Sequence, residues 1–145
     1  MIEFTIQGPP KGKERPKVST KSGKARAYTP RKTAEYERLV RTSYALQVGE
    51  RDPFPEDVPL SAVIRVGYRI PKGDSKKTKE RKRSGEILPT KKGSMNPDLD
   101  NVAKAILDAL NGVAYKDDSQ VVFLGISKHY MDDPCTYVII DEYKK

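Results

Sequence analysis

The segment from residue 60 to residue 70 constrains the fold most strongly, because its apolar and polar side chains alternate throughout. A period of two places alternate residues on one face of a β-strand. Arg65 and Arg69 fall on the polar face, and the opposite face consists of Leu60, Ala62, Ile64, Val66, Tyr68 and Ile70. The segment therefore predicts a strand with one buried and one solvated face.

The remaining periodic segments complete a predicted α+β fold. Residues 2–7 alternate in the same way, and residues 120–130 and 135–142 read as two strands joined by an Asp-Asp-Pro turn. Residues 31–48 and 99–111 repeat apolar side chains at helical spacing. The order β-α-β-α-β-β, closed by a hairpin, predicts a mixed sheet with two main helices packed on one face.

Length and composition exclude several classes of protein. A chain of 145 residues is expected to form a single domain, residues 1–145. With one cysteine (Cys135) and one histidine (His129), it can hold neither an internal disulfide nor a Cys₄ or Cys₂His₂ zinc site. No apolar run approaches the length of a membrane span, and the N-terminus lacks signal-peptide features. We therefore expect a soluble, cytoplasmic protein.

Positive charge is concentrated in two segments that are predicted to be loops, residues 9–30 and 71–95. The formal net charge is +8, with nine Lys or Arg side chains in residues 11–32 and nine more in residues 72–92. Both segments are rich in Gly, Ser, Thr and Pro. Basic loops on a small domain favour a polyanionic partner, most often nucleic acid. The alternative is solvated charge that only keeps the protein soluble.

Acidic side chains are grouped around the predicted helix 99–111. Asp98 and Asp100 lie where the chain enters this helix, and Asp117 and Asp118 lie just before the next strand. If that strand starts beside the beginning of the helix, Asp118 comes close to Asp98 and Asp100. Clustered carboxylates repel unless a cation lies between them, and Mg²⁺ prefers oxygen ligands of this kind. The alternative is that these acids only cap the helix.

Lys104 lies four residues after Asp100 and four before Asp108, on the polar stripe of the same helix. Two interpretations explain this arrangement equally well. Lys104 forms surface ion pairs at i, i+4 spacing, or it is a functional cation beside a metal, where its ammonium group would contact a phosphate oxygen or orient a water molecule.

The segments NPDLDNVAKAILDALNG and YKDDSQV together resemble the RusA family of Holliday-junction resolvases. The N-terminal GPPKGKERPK and YTP are also similar to features of that family. The resemblance implies a small homodimeric, Mg²⁺-dependent endodeoxyribonuclease of a kind common in prophages. It implies that Asp98, Asp100 and Asp118 are the catalytic, metal-binding acids and that Lys104 is the catalytic lysine. The link before the acidic pair is shorter than in the best-known members, which leaves Asp117 as the alternative to Asp118.

The sequence thus predicts a structure-selective endonuclease that resolves four-way DNA junctions in recombination and repair, with Mg²⁺ as the cofactor and Mn²⁺ able to substitute. The predicted DNA-binding residues are Lys11, Lys13, Arg15, Lys17, Lys76, Lys77, Arg81, Lys82 and Arg83. Two other functions remain open, namely a basic nucleic-acid-binding module without catalysis and a nuclease for other branched DNA.

Overall fold

The computed structural model describes residues 1–14, 17–20, 23, 25–28, 30–90 and 97–145. The strands are β1 (Ile2–Gln7), β2 (Lys17–Ser19), β3 (Arg26–Tyr28), β4 (Leu60–Arg69), β5 (Val121–Met131) and β6 (Cys135–Glu142). The α-helices are α1 (Arg31–Val48), α2 (Lys76–Arg83) and α3 (Leu99–Ala109), and a 3₁₀ turn (Asp118–Gln120) precedes β5.

Four of the strands form one mixed sheet in the order β1-β6-β4-β5. β6 pairs antiparallel with both β1 and β4, whereas β5 pairs parallel with β4. The predicted α+β class and mixed sheet are therefore confirmed. β2 and β3 form a separate two-stranded ribbon within the first segment that was predicted to be a loop.

Helices α1 and α3 cover one face of the sheet, in agreement with the predicted packing. Both helices contribute to one buried cluster with the alternate side chains of the strands. The strands provide Phe4, Ile64, Val66 and Ile140, and the helices provide Val40, Tyr44 and Ile106. α1 packs on β1 and on α3. Val63 and Arg65 on the opposite face of β4 remain exposed, as its alternation requires.

The prediction that residues 71–95 form a loop is wrong for its central part, which is α2. Ser75 is the N-cap of this helix, and its Oγ accepts a hydrogen bond of 3.2 Å from the backbone N–H of Thr78. Lys, Arg and Glu have good helix propensity, so a capping serine before KKTKERKR was the signal for a helix. The prediction gave more weight to the high charge and to the flanking Gly and Pro residues.

The connection between the two parallel strands determines where the acidic residues lie. Since β4 and β5 point in the same direction, the chain must return through α3, whose first turn lies near the end of β4 and whose last turn lies near the start of β5. Tyr68, near the end of β4, donates a hydrogen bond of 2.6 Å to the carbonyl oxygen of Pro97. Gln120, just before β5, donates 2.7 and 3.1 Å hydrogen bonds to the carbonyl oxygens of Pro55 and Val58.

None of the helices in the described ranges is long and apolar enough to cross a membrane.

Candidate active site

Asp98 and Asp100 lie at the exposed beginning of α3. Asp98 is the N-cap residue and Asp100 lies in the first turn. The Asp98 carboxylate accepts no capping hydrogen bond from the described residues, so the capping alternative does not account for this side chain. The positive end of the helix dipole favours both charges here, and both carboxylates are available to a ligand from solvent.

Asp118 lies at the other end of α3. Its backbone N–H donates a 2.7 Å hydrogen bond to Oδ1 of Asn111, and its carboxyl group lies close to that of Asp108. Partial burial raises the pKa of Asp118, and the Asp108 carboxylate raises it further. The structure therefore pairs Asp118 with an acid that sequence reasoning placed only in a surface stripe.

Asp117 has a structural role in the 3₁₀ turn before β5. Its carboxylate accepts a 3.3 Å hydrogen bond from the backbone N–H of Ser119, and the Gln120 side chain completes a capping box with the Asp117 backbone. Hydrogen bonding to Ser119 lowers the pKa of Asp117. Of the two adjacent acids, Asp118 is therefore the one that faces α3.

The three predicted acids thus do not form one cluster, because Asp98 and Asp100 lie at the first turn of α3 and Asp118 lies beside Asp108 at its last turn. Eight residues separate Asp100 from Asp108, which corresponds to about 12 Å along a helix. Within the described ranges, no group of three or more His, Cys, Asp or Glu side chains is arranged to hold a metal ion. The expectation that β5 starts beside the first turn of α3 is wrong. Because β5 runs parallel to β4, it starts near the last turn of α3. The assignment of Asp98, Asp100 and Asp118 as metal ligands stays a prediction.

Lys104 lies between the two acidic pairs on the exposed side of α3. It forms no ion pair with any described residue, because neither Asp100 nor Asp108 is within 4.0 Å of its ammonium group. The structure therefore does not contain the two surface ion pairs of the alternative interpretation. The role of Lys104 as the catalytic lysine stays a prediction.

Lys13 is the residue near this site that sequence reasoning did not distinguish from its basic neighbours. Its Nζ lies 2.5 Å from Glu37 and 3.2 Å from Asp108, and only 18% of its side chain is exposed. Burial alone would lower the pKa of Lys13, but hydrogen bonds to Glu37 and Asp108 outweigh it and the pKa is raised. Nothing in the local sequence separates Lys13 from other basic residues, because both partners come from distant helices.

Two of the predicted DNA-binding residues on α2 attach that helix to the sheet. Lys82 forms a 2.5 Å ion pair with Asp74, and its ammonium group lies 4.6 Å from the centroid of the Tyr130 ring. Arg83 binds Asp132 through two hydrogen bonds of 2.7 and 3.0 Å.

The other predicted DNA-binding residues differ in what surrounds them. Arg81 forms a 3.2 Å ion pair with Glu86. Lys11, Lys76 and Lys77 are exposed and form no ion pair within the described part of the chain. Lys17 belongs to β2, and Arg15 lies outside the described residues.

Comparison with known proteins identifies the family. Residues 7–141 match the family described as endodeoxyribonuclease RusA. The chain belongs to the RusA endodeoxyribonuclease family. It is also 38% identical over 146 residues to "Uncharacterized protein YqaN" of Bacillus subtilis (strain 168), an alignment that covers 97% of this chain and 96% of that protein. The family resemblance is confirmed, and so is the prediction of an endodeoxyribonuclease.

We expect the Asp118→Asn substitution to raise the free energy of unfolding at pH 7 without added metal. Because the folded state raises the pKa of Asp118, ionisation of this group destabilises the fold once the pH exceeds both its unfolded and its folded pKa. The neutral amide removes that cost, so the difference from wild type should shrink as the pH falls toward about 4. Urea denaturation between pH 4 and 7 measures this.

The matched control is Asp117→Ala, which removes the cap of the 3₁₀ turn and should lower the free energy of unfolding. A lower stability of Asp118→Asn than of wild type at pH 7 would contradict the assigned environment of Asp118.

Proposed function

We propose that this chain is a divalent-metal-dependent endonuclease that cuts four-way DNA junctions during recombination and repair, and that it acts inside the cell in the nucleoid or on prophage DNA. The acidic face of α3 is the observation that carries the proposal. Asp98 and Asp100 are exposed, and Asp98 accepts no capping hydrogen bond from the described residues. Lys104 is exposed beside them without an ionic partner in the described residues, and all three lie within the range that matches the nuclease family.

The proposed cofactor is Mg²⁺, with Mn²⁺ able to substitute, and the proposed ligands are Asp98, Asp100 and Asp118. Their carboxylate oxygens have the donor chemistry of a hard divalent cation, so the residues fit the metal chemically. In the described arrangement these acids form two groups, Asp98 with Asp100 at the first turn of α3 and Asp118 near its last turn. When bound, such an ion activates a water molecule and stabilises negative charge on the phosphate.

The remaining side chains of the proposed site hold DNA and balance charge. Lys104 would place a positive charge beside the scissile phosphate, where it neutralises charge that develops only during cleavage. Lys11, Lys76 and Lys77 would contact the phosphate backbone without reading sequence. Lys82 and Arg83 would add to this surface while they attach α2 to the fold.

Cleavage of a synthetic four-way junction, compared with a linear duplex of matched sequence, tests the proposal. We expect metal-dependent cutting of the junction, and we expect Asp98→Asn or Asp100→Asn to abolish it while junction binding is kept or strengthened. Lys104→Ala should lower the single-turnover rate about 100-fold with an unchanged thermal midpoint.

Asp57→Asn, which changes an exposed acid in the turn before β4, should behave as wild type. Cutting by Asp98→Asn within threefold of wild type would refute the site, and binding without any cleavage would favour the non-catalytic module. Preference for flap or fork DNA would favour the broader nuclease.

DNA affinity should fall steeply with salt because phosphate contacts release counterions. If Lys76 and Lys77 each neutralise one phosphate, the double alanine variant should reduce the slope of log K against log salt by about 1.8. Fluorescence anisotropy with a labelled junction over a salt series measures the slope. The double variant Lys144→Ala and Lys145→Ala removes the same charge at the C-terminus and should leave the slope unchanged. An unchanged slope for both variants would show that α2 does not contact DNA.

We also propose that the chain acts as a homodimer, since a four-way junction requires two symmetric cuts. β5 is an edge strand of the sheet, and its residues Val122, Phe123 and Leu124 are 43–59% exposed. An uncovered apolar edge strand is a template for pairing with another chain. Sedimentation equilibrium should find a dimer for wild type but a monomer for Phe123→Lys. The control is Leu46→Lys, which changes an exposed apolar side chain of α1 and should remain a dimer. A monomeric wild type would contradict the proposal.

A further inference from the structure

The segment from Gly8 to Glu14 is attached to α3 and α1 by its backbone. The N–H of Lys13 donates a 2.9 Å hydrogen bond to the carbonyl oxygen of Asn101, and the N–H of Glu14 donates a 3.2 Å hydrogen bond to Oγ1 of Thr33. Gly12 makes the approach possible, because a Cβ atom at this position would lie 3.1 Å from the Cβ atoms of Asn101 and Pro97. The backbone of Lys13 is therefore held at the first turn of α3, beside Asp98 and Asp100.

The Lys13 side chain reaches the opposite end of the same helix. Its backbone binds Asn101, whereas its ammonium group binds Asp108, seven residues or about 10 Å further along α3. Lys13 thus connects the first turn of α3 with Asp108 in its last turn. A second ion pair, to Glu37 on α1, holds the ammonium group at this place and keeps it from turning into solvent.

Asp108 needs a cation at this position for two physical reasons. It lies in the last turn of α3, where the negative end of the helix dipole disfavours a carboxylate. It also faces the carboxyl group of Asp118, and like charges at this separation repel. Without Lys13, both effects disfavour the Asp108 carboxylate in its present place, and we expect it to turn toward solvent and away from Asp118.

We propose that Lys13 is a positioning residue of the nuclease site, which holds Asp108 and, through Asp108, fixes the carboxyl group of Asp118. This inference rests on the proposed nuclease function and gives Lys13 a role different from a phosphate contact. Lys13 acts through another side chain, so its effect must disappear when Asp108 can no longer respond to it.

The test is a double-mutant cycle between Lys13→Met and Asp108→Asn, with single-turnover junction cleavage at saturating Mg²⁺ as the first readout. We expect Lys13→Met to lower the rate at least about tenfold, the scale for losing a group that orients a site ligand, and Lys13→Arg to restore it to within about threefold. The double variant should be no more than about threefold slower than Asp108→Asn, because coupled residues are not additive. Rates that multiply, or a Lys13→Met rate within twofold of wild type, would overturn the inference.

Two controls separate positioning from folding and from loss of charge. Glu37→Gln removes the other partner of Lys13 but keeps the Lys13–Asp108 pair, so it should lower the thermal midpoint as Lys13→Met does while cleavage stays within about threefold of wild type. Equal loss of cleavage in both variants would show a purely structural role. Lys144→Met carries the same charge change on an exposed residue and should cleave as wild type.

A second readout needs no DNA. Binding of Mn²⁺, followed by the electron paramagnetic resonance signal of the unbound ion, is measured for the same four members of the cycle. Lys13→Met should change Mn²⁺ affinity in the wild-type background and leave it unchanged in the Asp108→Asn background. Equal changes in both backgrounds would overturn the inference. If wild type cuts no DNA, the proposed function fails, and this metal-binding cycle still decides the role of Lys13.

Discussion

The parallel pairing of β4 with β5 is the constraint on which the rest of this structure depends. Parallel neighbours cannot be joined by a tight turn, so the chain leaves the sheet at the end of β4 and returns to its other end before β5 begins. α3 makes most of that return. The hydrogen bond from Tyr68 to Pro97 holds one end of the crossover, and the hydrogen bonds of Gln120 hold the other. Every acidic residue of the candidate site is placed by this connection.

The crossover gives the two acidic pairs different electrostatic surroundings. Asp98 and Asp100 lie at the positive end of the α3 dipole and are exposed, so their charges cost little. Asp108 and Asp118 lie near the negative end, are partly buried and face each other. The first pair is accessible to a ligand, whereas the second pair depends on a cation from elsewhere in the chain. Lys13 supplies that cation next to Asp108.

The basic side chains of α2 have two different roles, since some attach the helix to the fold and others are exposed. α2 buries no side chain, so it lacks the apolar stripe that normally holds a helix to a sheet. Ion pairs of Lys82 and Arg83 and the contact of Lys82 with the Tyr130 ring hold it instead. Lys76 and Lys77 of this helix are exposed to solvent, an arrangement that suits a phosphate-binding surface in a DNA endonuclease family.

Local patterns by themselves determined much of this protein. The alternation of residues 60–70 and the helical spacing of residues 31–48 and 99–111 depend only on which faces must be buried, and each of these predictions was confirmed to within a few residues. The motif around Asp98, Asp100 and Lys104 was sufficient for the family, since a motif is a property of the chain. The helix α2 was within reach of the same reasoning, because its signal, Ser75 before a run of helix formers, is local.

Only the tertiary structure decided which of these side chains meet. The direction of β5 relative to β4 depends on sheet pairing and not on the local sequence of either strand, so the meeting of Asp118 with Asp108 rather than with Asp98 could not be predicted from spacing. For the same reason, the ion pairs of Lys13 could not be predicted from its local sequence, which resembles that of its basic neighbours. Its partners, Glu37 and Asp108, are 24 and 95 positions away along the chain, and they come together only when α1 and α3 pack side by side on the sheet.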